Sequence, residues 1–232
     1  MSLTLRLPAC AGAHSIDSSI ILKSLKGVFI MKQMVNSKYL LGAALCCMSL
    51  FSAATAQAVE FKGVAGLGLD FGGDVLASVN DAGSTLEVRA NEGFGFNGGV
   101  VMVTGSFETQ ATVGYKFGES LSKKGSVTFF VVPVELMAFY RTSNLRMGAG
   151  FSYHNSPKVV EDIPGTSATY KFDNALGTVV QIGYAPKISD RHLSSISLDL
   201  RYTAIKYKQS GVDYPPDFSG NSVGLYMGFI FK

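Results

Sequence analysis

Residues 127–154 have the sequence VTFFVVPVELMAFYRTSNLRMGAGFSYH, in which apolar residues alternate with other residues on both sides of a short polar turn. In the first half, positions 130, 132, 134, 136, 138 and 140 are all apolar, whereas the odd-numbered positions include Glu135 and Arg141. The alternation resumes after Thr142-Ser143-Asn144. A period of two over ten or more residues is typical of a β-strand, so this stretch predicts a long β-hairpin.

The two faces of this hairpin differ in an informative way. Aromatic residues bracket the apolar face, and the opposite face mixes small and charged residues. A soluble β-sandwich would bury its apolar face and rim it with polar residues. Strands of transmembrane β-barrels turn an apolar face with aromatic ends to the lipid and a polar face to the interior. The pattern therefore predicts membrane-spanning strands.

The same alternation recurs along the chain after residue 58. The predicted strands are 60–71, 94–103, 107–117, 127–141, 145–154, 175–185, 196–208 and 223–231. Their connections alternate roughly between long and short, as extracellular loops and periplasmic turns do. The predicted fold is all-β, an eight-stranded antiparallel up-and-down transmembrane β-barrel.

Three connections are longer than tight turns, and one predicted strand contains a proline. Residues 72–93 are expected to be a long connection in which 85–89 extends a strand beyond the membrane, and residues 118–126 and 155–174 are expected to be loops. Pro133 falls within a predicted strand. Because proline cannot donate to a ladder, we expect a bulge or a local kink there.

A cleavable signal peptide is predicted over residues 31–58. Two lysines precede the uncharged, mostly apolar run 39–52, and small residues follow it at Ala56 and Ala58. A short basic region, an apolar run of about 7–15 residues and a small-x-small site define an export signal. Cleavage would leave Val59 as the new N-terminus of an exported protein.

The remaining chain divides into an extension and one domain. Residues 1–30 show no sustained period and are expected to be a non-native or disordered N-terminal extension, whereas 59–232 form the barrel domain. Removal of the first 58 residues takes away all three cysteines, five of the 20 basic residues and one of the 17 acidic residues, which leaves a net charge of about −1. Disulfides are therefore excluded, and a nucleic-acid partner loses its support.

The signal peptide, the eight alternating strands and the final LYMGFIF of residues 225–231 resemble the small outer-membrane β-barrels of Gram-negative bacteria, the group of OmpA, OmpX and OmpW. The resemblance implies an outer-membrane location, contact with outer-membrane lipid and a monomeric state. It also implies a C-terminal assembly signal, carried here by Tyr226, Phe229 and Phe231, that the barrel assembly machinery recognises. The chain departs from the pattern by adding Lys232 after the terminal aromatic residue.

The inward face of the predicted strands carries ionisable residues of both signs. These residues are Lys62, Asp70, Glu108, Lys116, Glu135, Arg141, Arg146, His154, Asp199 and Arg201. Eight strands enclose an interior just wide enough to be filled by side chains, and unpaired charges there would be costly. We expect a polar network of salt bridges, with a proton or ion path as the alternative.

A histidine and a nearby serine on the same face form one possible catalytic pair. His154 has serines at 152 and 156, and a histidine can activate a serine hydroxyl for acyl transfer. The alternation turns His154 inward, away from a lipid substrate, and no third residue is placed to orient it. His192 falls in a predicted periplasmic turn, which disfavours a two-histidine metal site. We therefore expect no catalytic, cofactor or metal site.

The sequence predicts a non-enzymatic structural or surface-interaction role, exercised through extracellular loops on an unidentified partner. Three alternatives remain. A barrel of the OmpW type would pass small hydrophobic molecules sideways into the membrane. A lipid-modifying enzyme would need a nucleophile and a base facing the lipid. A soluble barrel of the lipocalin type would need its apolar face inside.

Overall fold

The structure, a computed structural model, describes residues 58–81, 84–122, 125–163, 166–188 and 190–232. Within these ranges no helix is long and apolar enough to cross a membrane. The expected extension and the signal peptide lie outside the described residues, apart from Ala58. The strands of the described part are β1 (Val59–Gly72), β2 (Val75–Asp81), β3 (Ser84–Arg89), β4 (Gly93–Thr104), β5 (Phe107–Ser122), β6 (Gly125–Arg141), β7 (Leu145–Ile163), β8 (Thr166–Lys171), β9 (Ala175–Tyr184), β10 (Leu193–Ala204), β11 (Lys206–Lys208), β12 (Asp217–Ser219) and β13 (Ser222–Phe231).

Eight of these strands form one closed antiparallel ring. Its order is β1, β4, β5, β6, β7, β9, β10 and β13, and β13 pairs again with β1. The closing ladder runs from Val64 opposite Ile230 to Gly72 opposite Ser222. Closure leaves no unpaired edge in the ring, which is the condition for a β-sheet to exist in lipid. The prediction of an eight-stranded up-and-down barrel is confirmed.

The outer surface of the ring is apolar. Along β6, residues from Val127 to Arg141 alternate strictly between the interior and the outside. Large apolar side chains stand out from other strands with half or more of their area exposed, such as Phe151 at 55%, Leu176 at 67% and Val180 at 56%. Water would penalise an apolar belt of this extent, whereas the hydrocarbon core of a membrane would not.

The structure corrects the predicted loops 118–126 and 155–174. Strand β5 continues to Ser122 and β6 begins at Gly125, while β7 continues to Ile163 and pairs with β8 as well as β6. Beyond the membrane both faces of a strand meet water or other loops, so polarity no longer alternates and the strand escapes detection. For the same reason the connection 72–93 contains a complete hairpin, β2–β3, rather than a single extension.

Pro133 interrupts the ladder as predicted. Pairing between β5 and β6 is continuous up to Val113 opposite Val134 and resumes at Lys116 opposite Val131. On the other side of β6, the register with β7 shifts between Phe130 and Val132. The missing N–H of proline accounts for the local loss of pairing.

A closed barrel of this kind should resist SDS until it is heated. We expect the protein in membrane fractions to migrate faster on SDS gels without boiling than after boiling, because the intact ring stays compact in detergent. An unchanged band, with the protein recovered in the soluble fraction, would contradict both the closed ring and the outward apolar belt.

Candidate functional site: the ionic lumen and its apolar cap

Nine of the ten ionisable residues predicted to face inward are buried inside the ring. They are Asp70, Glu108, Lys116, Glu135, Arg141, Arg146, His154, Asp199 and Arg201. Lys62 differs from this prediction. Its ammonium lies 2.7 Å from Glu60, and its side chain stays partly exposed. This pair lies at the end of the barrel that carries the short turns, which we call the periplasmic mouth because such turns face the periplasm in outer-membrane barrels. Lys62 lines the cavity at the rim of the barrel rather than the filled part of the lumen.

Two ion pairs fill the periplasmic half of the lumen. Arg141 donates from Nε to Glu108, and Arg146 binds Asp199 with two contacts, Nε to Oδ1 at 2.9 Å and Nη2 to Oδ2 at 3.0 Å. Arg146 Nη1 also lies 3.8 Å from Glu108 Oε2, which connects the two pairs. Ser197 donates to Asp199 Oδ2 at 2.6 Å. Asp199 therefore accepts three hydrogen bonds, whereas Glu108 accepts one, from Arg141, and its Oε2 has no hydrogen-bond partner among the described residues.

Two further pairs fill the next level of the lumen. Arg201 donates from Nη1 to Glu135 Oε2 at 2.9 Å, and Lys116 Nζ lies 2.6 Å from Asp70 Oδ2. Tyr226 joins the pairs, because its hydroxyl donates to Asp70 and its ring lies 4.8 Å below the Arg201 guanidinium. These pairs link strands that are not neighbours in the ring, since Arg201 is on β10 and Glu135 is on β6.

The lumen is electrically balanced and nearly full. Among the described side chains, each of the four buried cations forms an ion pair with one of four carboxylates, and the fifth buried carboxylate, Glu161 on the extension of β7, lies outside these pairs. The cavity that remains beside Glu135, Arg146 and Arg201 has a volume of about 20 Å³, room for about one water molecule.

Glycines on the inward face make room for these large side chains. A Cβ placed on Gly183 would lie 2.0 Å from Asp199 Oδ1, and one on Gly148 would lie 2.4 Å from the Phe139 ring. Arg146 stacks on that same ring, with its guanidinium 4.4 Å from the centroid. These two glycines therefore provide the space in which the side chains of the lumen pack.

An apolar cap closes the extracellular end of the lumen. Its buried members are Val88, Ala90, Val127, Phe129, Val131, Val159, Phe172, Ala175, Ile205 and Tyr207, contributed by the loops and by the inner wall. Tyr207 bonds His154 through its hydroxyl and Nδ1, which joins the cap to the ionic lumen. This cap was not predicted from the sequence. The signal available was that positions 127, 129 and 131 are apolar on the face that carries Glu135.

The periplasmic mouth is open, with a cavity of about 680 Å³. Beside it, the turn before β10 is ordered by Asp190, whose Oδ1 accepts from the backbone N–H groups of His192 and Leu193 at 2.8 and 3.2 Å. These hydrogen bonds lower the pKa of Asp190 below its ordinary value. Lys232 donates its backbone N–H to His192 O at 2.9 Å. The residue that departs from the terminal pattern thus ties the last strand to this turn.

The structure separates the residues of the C-terminal assembly signal. Phe229 and Phe231 lie on the outer face of β13, and Tyr226 lies in the lumen. Recognition of Phe229 and Phe231 by the assembly machinery remains a prediction, and Tyr226 has a structural task of its own in the contact with Asp70.

The serines near His154 do not form a pair with it. Ser152 is buried and donates to Glu135 Oε1 at 2.9 Å, while Ser156 lies exposed in a left-handed conformation with φ of 50°. The Nδ1 atom of His154 instead shares a hydrogen bond with the Tyr207 hydroxyl. Among the described side chains no group of three or more His, Cys, Asp and Glu residues is placed to hold a metal ion.

A closed ring of eight antiparallel strands, apolar outside and ionic inside, is a transmembrane barrel of the outer-membrane class. The predicted outer-membrane location follows from that class. No family model and no curated protein sequence matches the chain.

Solved structures similar to the chain include three outer-membrane barrels. Neisserial surface protein A (NspA) is 11% identical, with a TM-score of 0.45, over 76% of this chain and 99% of that one. The outer membrane protein AlkL is 14% identical, with a TM-score of 0.41, over 78% and 94%. OprG from Pseudomonas aeruginosa is 12% identical, with a TM-score of 0.44, over 76% and 95%.

The pair of Glu135 and Arg201 should show strong coupling in a double-mutant cycle. Glu135→Leu or Arg201→Met alone leaves a buried charge without its partner and should lower the free energy of unfolding by about 3–5 kcal/mol. The double variant should lose much less. The measurement is urea unfolding of the barrel in lipid vesicles, and strictly additive losses would show that the pair does not stabilise the lumen as a unit.

Proposed function

We propose that this chain is a non-enzymatic surface barrel that acts through its extracellular loops. The observation that carries the proposal is the apolar cap, in which loop residues such as Val88 and Phe172 pack against the inner wall at Phe129. The cap and the ion pairs together fill the lumen above the periplasmic mouth. The outer surfaces of the loops are then the part of the molecule that is free to meet a partner.

The connection between β11 and β12 offers a suitable contact point. Tyr214 is 99% exposed and has a left-handed φ of 56°, which is uncommon for a bulky residue. Val212 is also exposed, and Pro215 and Pro216 follow. Prolines restrict the loop before binding, which reduces the entropy lost on contact. Exposed tyrosines are frequent anchors of protein interfaces.

Removal of the Tyr214 ring should weaken a surface interaction without affecting the barrel. Bacteria that carry the wild-type protein should adhere to at least one coating among collagen, fibronectin, mucin and heparin, and Tyr214→Ser should reduce that adhesion about tenfold or more. Asp213→Asn, at the neighbouring exposed position, serves as the control and should change it little. If bacteria with the wild-type protein adhere to none of these coatings better than bacteria lacking the protein, the result would argue against the proposal.

A second candidate is the sideways passage of small hydrophobic molecules from the lumen into the membrane. The ladder between β5 and β6 is interrupted beside Pro133, at the level where the inner wall passes from the apolar cap, with Val131, to the buried ions Lys116 and Glu135. An apolar interior beside a weakened seam is the arrangement that such a path would require. Passage would also require the cap to open.

Restoring a hydrogen-bond donor at the seam separates the two candidates. If the seam is a path, wild-type barrels in vesicles should speed the uptake of an apolar fluorescent dye, and Pro133→Ala should slow it severalfold by strengthening the ladder. Pro186→Ala, in a periplasmic connection, provides a matched control. Uptake no faster than in protein-free vesicles would exclude passage and leave the surface role.

A further inference from the structure

Two lysines face each other directly on the outside of the barrel. Lys158 of β7 and Lys171 of β8 are opposite partners in the antiparallel ladder, and both side chains are exposed. Like charges in directly opposite positions destabilise a sheet. Within the described part of the chain, neither ammonium has a carboxylate within 4 Å. The pair therefore holds positive charge that the described residues do not neutralise.

The positive surface continues onto the next hairpin. Ser210 donates its N–H to Lys171 O at 2.9 Å and Asp173 donates to Lys208 O at 2.8 Å, so β11 lies alongside the end of β8. Lys206 and Lys208 share one exposed carboxylate, that of Asp217, at 3.8 and 3.5 Å. We name the four residues Lys158, Lys171, Lys206 and Lys208 the lysine row. Among the described side chains, Asp217 is the only carboxylate within 4 Å of any of these four ammonium groups.

The lysine row lies where the apolar belt ends on the extracellular side. Lys158 Nζ is 5.6 Å from the centroid of the outward Phe130 ring, and that ring contacts Tyr115 in an outer aromatic group. On the membrane side of the row, Tyr153 of β7 and Leu176 of β9 expose apolar surface. Positive charge directly above apolar surface matches a lipid, whose charged headgroup sits at the end of its acyl chains.

We propose that the lysine row binds the phosphate of a phosphorylated membrane lipid, with the acyl chains of that lipid lying against the belt below it. A phosphate carries up to two negative charges and several acceptor oxygens, so it can bridge Lys158 and Lys171 and remove their mutual repulsion. A soluble phosphate could satisfy the charge but would leave the adjoining surface at Leu176 without a partner. The continuity of charged and apolar surface favours the lipid.

The test compares two variants with the same change of charge at opposite ends of the barrel. Lys158→Gln/Lys171→Gln removes the centre of the lysine row, and Lys187→Gln/Arg191→Gln removes two exposed charges on the periplasmic side. The full barrel in a zwitterionic detergent is titrated with lipid A, a bisphosphorylated glycolipid, and bound lipid is counted by native mass spectrometry. We expect affinity about 10- to 30-fold lower for the first variant and unchanged for the second.

Two further readouts keep the result unambiguous. Unboiled SDS gels show whether each variant forms the ring, and in detergent without lipid the Lys158→Gln/Lys171→Gln barrel should unfold no more easily than the wild type, because the substitution removes repulsion. Equal lipid affinity in the wild type and this variant, or equal losses in both variants, would overturn the proposal. Inorganic phosphate that displaces lipid A at millimolar concentration would also overturn it, since the site would then be one for soluble phosphate.

Discussion

The structure depends on the requirement that every backbone polar group in lipid be paired within the protein. The ladder between β1 and β13 meets this requirement for the two strands that would otherwise be edges. Once the ring is closed, each strand has one face towards lipid and one towards a narrow interior, and a period of two follows along the whole sequence. The apolar belt and the ionic lumen are two results of the same closure.

The interior meets a second requirement, which is electrical neutrality in a confined space. Four arginine or lysine side chains face four carboxylates, and several pairs reach across strands that are not neighbours in the ring. Inward glycines such as Gly183 create the space in which these side chains cross the lumen. Because the middle of the lumen is used for packing, we propose the extracellular loops and the outer wall as the binding surfaces.

Much of the fold could be predicted from the sequence because lipid imposes a regular pattern. The strands between Phe107 and Tyr184 were located to within a few residues at their membrane-embedded parts, and the effect of Pro133 was predicted from its missing N–H. The extensions of β5, β6 and β7 could not be predicted, because outside the membrane no lipid enforces an alternation of apolar and polar residues. The partners of the inward charges could not be derived either, because they depend on the tilt and the register of distant strands. The cap at Phe129 and the mouth position of Lys62 were missed for that reason.

The closing ladder joins the first and the last strand of the barrel, and this has a consequence for the order of assembly. Asp70 on β1 bonds Ser222 and Tyr226 on β13, and neither contact exists until the final strand has been added. A partly built sheet could pair Asp70 with Lys116, but it would lack the two hydroxyl donors that β13 supplies. The polar network of the lumen is therefore complete only when the last strand is inserted. The barrel is in this sense a cooperative unit whose last strand completes both its wall and its interior.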